Sequence, residues 1–310
     1  MSYATRVPET RELTGDDARR TLASTGRLAL LRDSYLRMRA ADGFSHARSL
    51  AFTTSLVLVQ GAIVLVGLAS AFGETSFNRA IVDAIDAALP GHASEVLRNA
   101  VEQANRVGSE GRYLPLLLGL LGLLITSTTT MGQLERALNR LYGIEQDRPT
   151  HVKYARALGL AVSVGAVIAA AFVLLAFGRG LVETTVGPAL VWPLAIVLAA
   201  AGLGALFRYA PNRSQPAWSW LAFGSGVAVL LWTLTTLLLA GSFRLSSQFG
   251  DTYGPLAGIV ALQIWALLSA CTIVYGGAVI AQLEAVRAGV SEPRKRKEPE
   301  PKPREAAVSA

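Results

Sequence analysis

The sequence predicts an all-α, polytopic membrane protein with six transmembrane helices and both termini on the cytoplasmic side. Three observations predict it. First, six stretches carry no charged residue: Ser49–Gly73, Tyr113–Leu134, Ala157–Gly178, Thr184–Phe207, Ser214–Phe243 and Thr252–Leu283. Second, the shortest of them has 22 residues, and a helix needs about 20 mostly apolar residues to cross the hydrocarbon core. A backbone in lipid must satisfy its own hydrogen bonds, so each stretch is helical. Third, residues 1–48, Glu135–Arg156, Arg208–Arg213 and the tail from Glu284 hold 23 Lys and Arg, against 6 in the intervening segments Glu74–Arg112, Arg179–Glu183 and Arg244–Asp251. Lys and Arg are favoured on the cytoplasmic side, which sets N-in and C-in.

The chain divides accordingly. Residues 1–48 form a cytoplasmic segment and 49–285 the transmembrane domain, with spans at about 49–73, 113–134, 157–178, 186–207, 217–241 and 255–283; 286–310 is a basic cytoplasmic tail. The net charge of +7 and isoelectric point near 9.8 would suggest nucleic acid in a soluble protein. Here the inside loops and tails account for the excess. The expected partners are the bilayer and its anionic headgroups, with no nucleic acid. Cys271 is the single cysteine, so no intramolecular disulfide is expected. Ala69-Ser70-Ala71 resembles a signal-cleavage site, but the apolar run before it starts too late and runs too long for a secretory signal.

In chain order, the segment before the first span reads as an amphipathic interfacial helix. Thr14 is its N-cap, and Asp16 and Asp17 lie in the first turn, where the helix dipole favours anions. Leu22, Leu28, Leu31, Tyr35 and Met38 form its apolar stripe, interleaved with Arg19, Arg20, Arg27, Arg32, Arg37 and Arg39; such a helix anchors at the membrane surface. The outer loop Glu74–Arg112 reads as two short helices. Phe77, Ile81, Ile85 and Leu89 mark the first, Pro90-Gly91 breaks it, and Val96, Leu97, Ala100, Val101, Ala104 and Val107 mark the second. They either cap the bundle or act as a lid. Spans three and four, and five and six, form hairpins. The tail from Ser291 is Pro-, Lys-, Arg- and Glu-rich and is expected to be disordered.

Catalysis finds little support. His46, His92 and His151 fall on different sides of the expected membrane, no metal-ligand cluster is present, and there is no phosphate-cradling loop, G-x-S-x-G elbow or H-E-x-x-H. No enzyme activity, cofactor or metal is expected. What remains is polar residues at membrane depth: Gln60 in span one, Thr126, Thr130 and Gln133 toward the inner end of span two, and Gln263 in span six. They either join helices by hydrogen bonds or line a substrate path. Gly224-Ser225-Gly226 and Gly276-Gly277 permit either close helix approach or local unwinding, as in a broken transport helix. Trp192, Trp218 and Trp220 sit near span ends as belt residues. At the cytoplasmic ends of spans two and four, Asn139, Arg140, Arg208, Asn212 and Arg213 form one polar cluster bridging two loops, or act singly as positive-inside residues.

Several blocks resemble a known family. They are Ser49-Leu50-Ala51-Phe52-Thr53-Thr54, Glu135-Arg136-Ala137-Leu138-Asn139-Arg140-Leu141-Tyr142-Gly143, Arg208-Tyr209-Ala210-Pro211-Asn212-Arg213, and Tyr253-Gly254-Pro255-Leu256-Ala257-Gly258 followed by Trp265. Their order and content resemble the YihY/virulence factor BrkB family of bacterial inner-membrane proteins, formerly labelled ribonuclease BN. Two positions depart from the family pattern. Gln60 stands where the family often has proline, and Gly277-Ala278-Val279-Ile280-Ala281-Gln282 stands where it commonly reads GAELNA. Roles assigned to that Glu and Asn do not carry over. The resemblance implies a bacterial plasma-membrane location and a loose link to lipid or solute export. The leading expectation is a transporter or lipid-translocating protein acting on a lipid or small solute; the alternative is a structural envelope protein without transport. A homo-oligomer is compatible with either.

Overall fold

The structure is a computed structural model that describes residues 3–71, 82–83, 85–86, 89–109, 114–181, 187–245 and 256–295. Among them lie nine helices: α1 (Gly15–Thr25), α2 (Arg27–Ala40), α3 (Gly43–Ala71), α4 (His92–Ser109), α5 (Leu114–Leu141), α6 (Thr150–Leu181), α7 (Gly187–Tyr209), α8 (Trp218–Leu245) and α9 (Ala257–Arg287). The one β-type pairing among the described residues is a bridge between Ala4 and Arg294.

The charge-free runs coincide over most of their length with α3 and α5 to α9. Four stretches of the described residues are long and apolar enough to cross a membrane: Gly43–Leu65, Leu117–Leu141, Trp218–Phe243 and Ala257–Arg287; Pro193–Tyr209 is a shorter apolar helix. The six long helices neighbour one another in a closed cycle, α3–α5–α6–α7–α8–α9 and back to α3, with α4 against α3 and α9. Large apolar side chains point outward: Leu117, Leu118 and Ile125 on α5, Val162 on α6, Val197 on α7, Leu230 and Leu237 on α8. Soluble monomers rarely expose so wide an apolar surface; this is the surface of a membrane protein.

α9 is the centre. Buried residues run along it from Ala257 to Ala285, and it packs against α8, α3, α4 and α2. Glycine lets α8 and α9 touch through their backbones. A Cβ added to Gly276 would lie 2.7 Å from the Gly224 carbonyl and 2.7 Å from the Ala228 Cβ. The tryptophans deeper in the pair add polar ties, with Trp232 Nε1 donating to Ser269 (3.0 Å) and Trp265 Nε1 to Thr236 (3.2 Å). Changing Gly276 to Val should therefore cost about 1–3 kcal/mol or more through overpacking. Thermal unfolding of the purified protein in detergent checks this, and a neutral result would show that the crossing can open without loss.

The N-terminal segment departs from the single helix expected. It breaks at Gly26, whose φ is 87°, into α1 and α2. The Thr14 N–H and hydroxyl both donate to Asp17 (3.1 and 2.9 Å), fixing the start of α1. The inward face of α2 carries Leu30, Ser34, Arg37 and Met38, whereas Leu28, Leu31 and Tyr35 of the expected stripe are exposed. The stripe is displaced because α2 packs against α9 and must turn Arg37 toward it. In the outer loop, α4 buries Ala93, Leu97 and Val101. Phe77 and Ile81 of the other expected helix lie outside the described residues, while Ile85 and Leu89 are buried. Residues 291–295 pair with the start of the chain: Thr5 N–H donates to Pro293 O (3.2 Å) and Lys295 N–H to Tyr3 O (2.8 Å).

Candidate functional site

The segments rich in Lys and Arg gather at one end of the bundle and interlock there. The turn after α5 is made at Gly143, in the left-handed region with φ 71°, which favours glycine. A Cβ there would come within 2.7 Å of the Arg6 Cα, so the N-terminal strand of chain crosses directly over the turn. Val7 N–H donates to Tyr142 O (3.1 Å) and Tyr3 N–H to Ala40 O (2.9 Å). The first residues thus strap across the ends of α2 and α5.

Beneath the strap lies a buried polar network. Arg37 is fully enclosed. Its Nε donates to Gln282 Oε1 at 2.6 Å, and its Nη1 donates to the Thr5 and Leu141 carbonyls at 2.9 and 3.1 Å. Gln282 passes the link on, donating to Ser291 O at 2.7 Å. Two residues further along α9, Glu284 pairs with Arg213 at 2.6 Å, the two side chains being 0% and 1% exposed. The Thr10 N–H and hydroxyl also donate to that carboxylate, and Arg213 donates to Pro8 O at 2.9 Å. The Arg213 guanidinium stacks 4.2 Å over the Tyr142 ring, whose hydroxyl donates to Gln215 (3.2 Å). Burial pulls the Arg37 guanidinium down to about 10, against the opposing pull of Tyr142 and Glu284. It raises the Tyr142 phenol, helped by the Glu284 charge.

A second layer joins the loops after α5 and α7. Asn212 N–H donates to Asn139 Oδ1 at 2.7 Å, and Asn139 Nδ2 donates to Asp147 at 3.4 Å. Arg148 donates to the Ala210 and Pro211 carbonyls (2.9 and 2.7 Å) and pairs with Glu135 at 2.8 Å. Burial alone would raise the Asp147 carboxyl, but hydrogen bonds from Lys153 and Asn139 and the charge of Arg136 hold it low.

Of the five residues expected to bridge these loops, Asn139, Asn212 and Arg213 meet in this network. Arg140 turns back onto Ile144 O (2.8 Å). Arg208 donates to Pro216 O (2.8 Å) and lies 5.4 Å over the Trp218 ring. The five depth residues have separate neighbours. Gln60 lies against Gly122 of α5, where a Cβ would be 3.3 Å from its Nε2. Gln263 instead accepts from Ser55 of α3 at 3.0 Å. Thr130 donates to its own helix at Thr126 O, and Gln133 is half-buried. Tyr253 and Gly254 lie outside the described residues; Trp265 sits in the α8–α9 contact.

Sequence reasoning passed over Arg37, Tyr142, Gln282 and Glu284. A signal existed for Arg37, which keeps helical phase with Leu30, Ser34 and Met38. Chemically, the network is a clasp: it holds both ends of the described chain and two loops to α9. Among the described residues no group of three or more His, Cys, Asp or Glu could hold a metal ion.

Comparison with known proteins gives the family. The chain is 23% identical over 270 residues to a putative ribonuclease-like protein, YfkH, of Bacillus subtilis, covering 83% of this chain and 95% of that protein. It is 29% identical over 257 residues to a UPF0761 membrane protein of Delftia acidovorans and 26% identical over 251 residues to the UPF0761 membrane protein RSc1559 of Ralstonia nicotianae. These matches cover 79% and 78% of this chain but only 59% and 56% of those longer relatives. No solved structure matches it. The sequence profile of the virulence factor BrkB family matches residues 34–303, and the chain belongs to that family.

Proposed function

We propose that the chain is a six-span protein of the bacterial plasma membrane, with cytoplasmic termini, that moves a lipid or small solute. The sidedness is supported by the clasp, which gathers residues 3–14, both basic loops and the end of α9 on one side. The exposed Leu28, Leu31 and Tyr35 of α2 suit an interfacial position beside anionic headgroups. The observation that carries the transport reading is Gln60. Its Oε1 is enclosed near the middle of α3 and has no hydrogen-bond partner among the described residues. An orphaned buried acceptor costs roughly 1–3 kcal/mol, and polar groups kept inside spans mark substrate pathways. No enzyme activity is assigned.

A specific observation favours a second reading, a structural membrane protein. Gln60 and Gln263 address different helices, α5 and α3, and α8 and α9 close on each other at Gly224 and Gly276. The two readings separate in vesicles reconstituted with the purified protein and a fluorescent phospholipid. Transport predicts lipid movement above protein-free vesicles, reduced by about tenfold or more in Gln60→Leu, a change of 1.4 kcal/mol in barrier. Equal movement in wild type and protein-free vesicles would favour the structural role.

A further inference from the structure

A cavity of about 400 Å³ opens at the clasp end, between the N-terminal strap, the start of α6 and the loop from α7 to α8. Its size is within the ~300–1,000 Å³ usual for small-molecule sites. Its charged lining is five arginines, Arg11, Arg148, Arg156, Arg208 and Arg213, and no carboxylate lines it. Two of the five are neutralised from behind, Arg148 by Glu135 and Arg213 by Glu284. The other three have no acidic partner within 4.0 Å among the described residues, and no hydrogen bond from Arg11 or Arg156 is formed there either. Like charges converging on one concave surface repel, an arrangement that destabilises the fold unless an anion is meant to enter.

The wall supports the same conclusion. Arg213 Nη1 and Gln215 Nε2 are enclosed donors without hydrogen-bond partners among the described residues, and both residues line the cavity. Exposed Tyr209, also in the lining, stands edge-to-face with exposed Trp218 at 6.0 Å. Aromatic side chains of this kind settle at headgroup depth, which places the arginines level with lipid phosphates. Guanidinium groups suit phosphate because their fork of N–H donors matches its oxygens.

We propose that this cavity binds a phosphomonoester, held by Arg11, Arg156 and Arg208 at its mouth with Arg213 and Gln215 at its wall. The site stands independently of any transport activity, because its test reads binding alone. The full chain in detergent is titrated with two probes: phosphatidic acid in mixed micelles, and glycerol 3-phosphate. The test variant is Arg11→Gln with Arg156→Gln, both exposed and without internal partners, so folding is unaffected. The charge-matched control is Arg27→Gln with Arg32→Gln, exposed on α2. Wild type and control should bind saturably, and the cavity variant about tenfold more weakly or worse, a loss of about 1.4 kcal/mol in binding. Binding of phosphatidic acid alone identifies a lipid headgroup as the source; binding of both probes identifies a phosphate recognised free of the membrane. No saturable binding of either probe, or an equal loss in the control, overturns the proposal.

Discussion

Changing Glu284 to Leu is expected to lower the unfolding free energy by roughly 3–5 kcal/mol, the range for leaving a buried charge without its partner. The Glu284 carboxylate is fully enclosed and pairs with an Arg213 side chain only 1% exposed. Its charge also opposes the desolvation of Arg37, which otherwise binds only neutral acceptors, Gln282 Oε1 and the carbonyls of Thr5 and Leu141. Leucine at 284 would leave two enclosed guanidinium groups with no carboxylate between them. Arg213→Met should cost a similar amount, since it leaves the buried carboxylate with only the two neutral Thr10 donors. The double variant should cost less than the two singles added together, because neither member of the Arg213–Glu284 pair is then left without the other, although Arg37 still lacks the carboxylate. Equilibrium unfolding in mixed micelles, followed by tryptophan fluorescence, measures all three. A single-variant loss below about 1 kcal/mol, the value of an exposed pair, would show that water reaches the pair and that the clasp does not hold this end of the fold.

The long helices were legible in the sequence because lipid imposes a local rule. Some twenty uncharged residues must be helical whatever their neighbours do, so the runs around α3, α5, α8 and α9 could be read without tertiary information. Glycines in two separate runs were legible as residues that allow close approach, but not their partners, since Gly224 is also closed in by Ile280 and Gly276 by Ala228. The clasp was not legible, because nothing local distinguishes an arginine that snorkels from one that is sealed. Arg37 stands in a helix with three other arginines, and its burial depends on Gln282, 245 positions away. The same cause displaced the stripe of α2. Leu28, Leu31 and Tyr35 repeat at helical spacing, yet the face that docks on α9 is the one carrying Ser34 and Arg37, since polar partners wait there. Asn139 and Asn212 could be anticipated to meet only because each follows an expected span that ends on the same expected side. Which loop atoms they use, a backbone N–H to a side-chain oxygen, depends on the turn at Gly143 and the strap above it.

Arg37→Met should release the N-terminal strap, lowering stability by roughly 2–4 kcal/mol. The loss has two opposing parts. Removing the guanidinium orphans Gln282 Oε1 and the carbonyls of Thr5 and Leu141, each a buried acceptor worth about 1–3 kcal/mol when left unpaired. Against this, methionine removes a charge whose burial is unfavourable enough to pull the group down to about 10, so the sum falls short of three full penalties. The position tells whether charge or shape matters. Lysine keeps the charge but is a point donor on a flexible stem, and it cannot span acceptors on α9, on the strap and at the end of α5 as the planar fork does. Arg37→Lys should therefore recover less than half of the loss. Limited proteolysis gives the local readout. The wild type should resist cleavage before α1, where Tyr3, Thr5 and Val7 are held by backbone hydrogen bonds, and the methionine variant should be cut there while α3 to α9 stay intact. Full rescue by lysine would mean that the clasp works through charge alone. An uncut strap in the methionine variant would mean that the backbone bonds of residues 3–7 suffice to hold it.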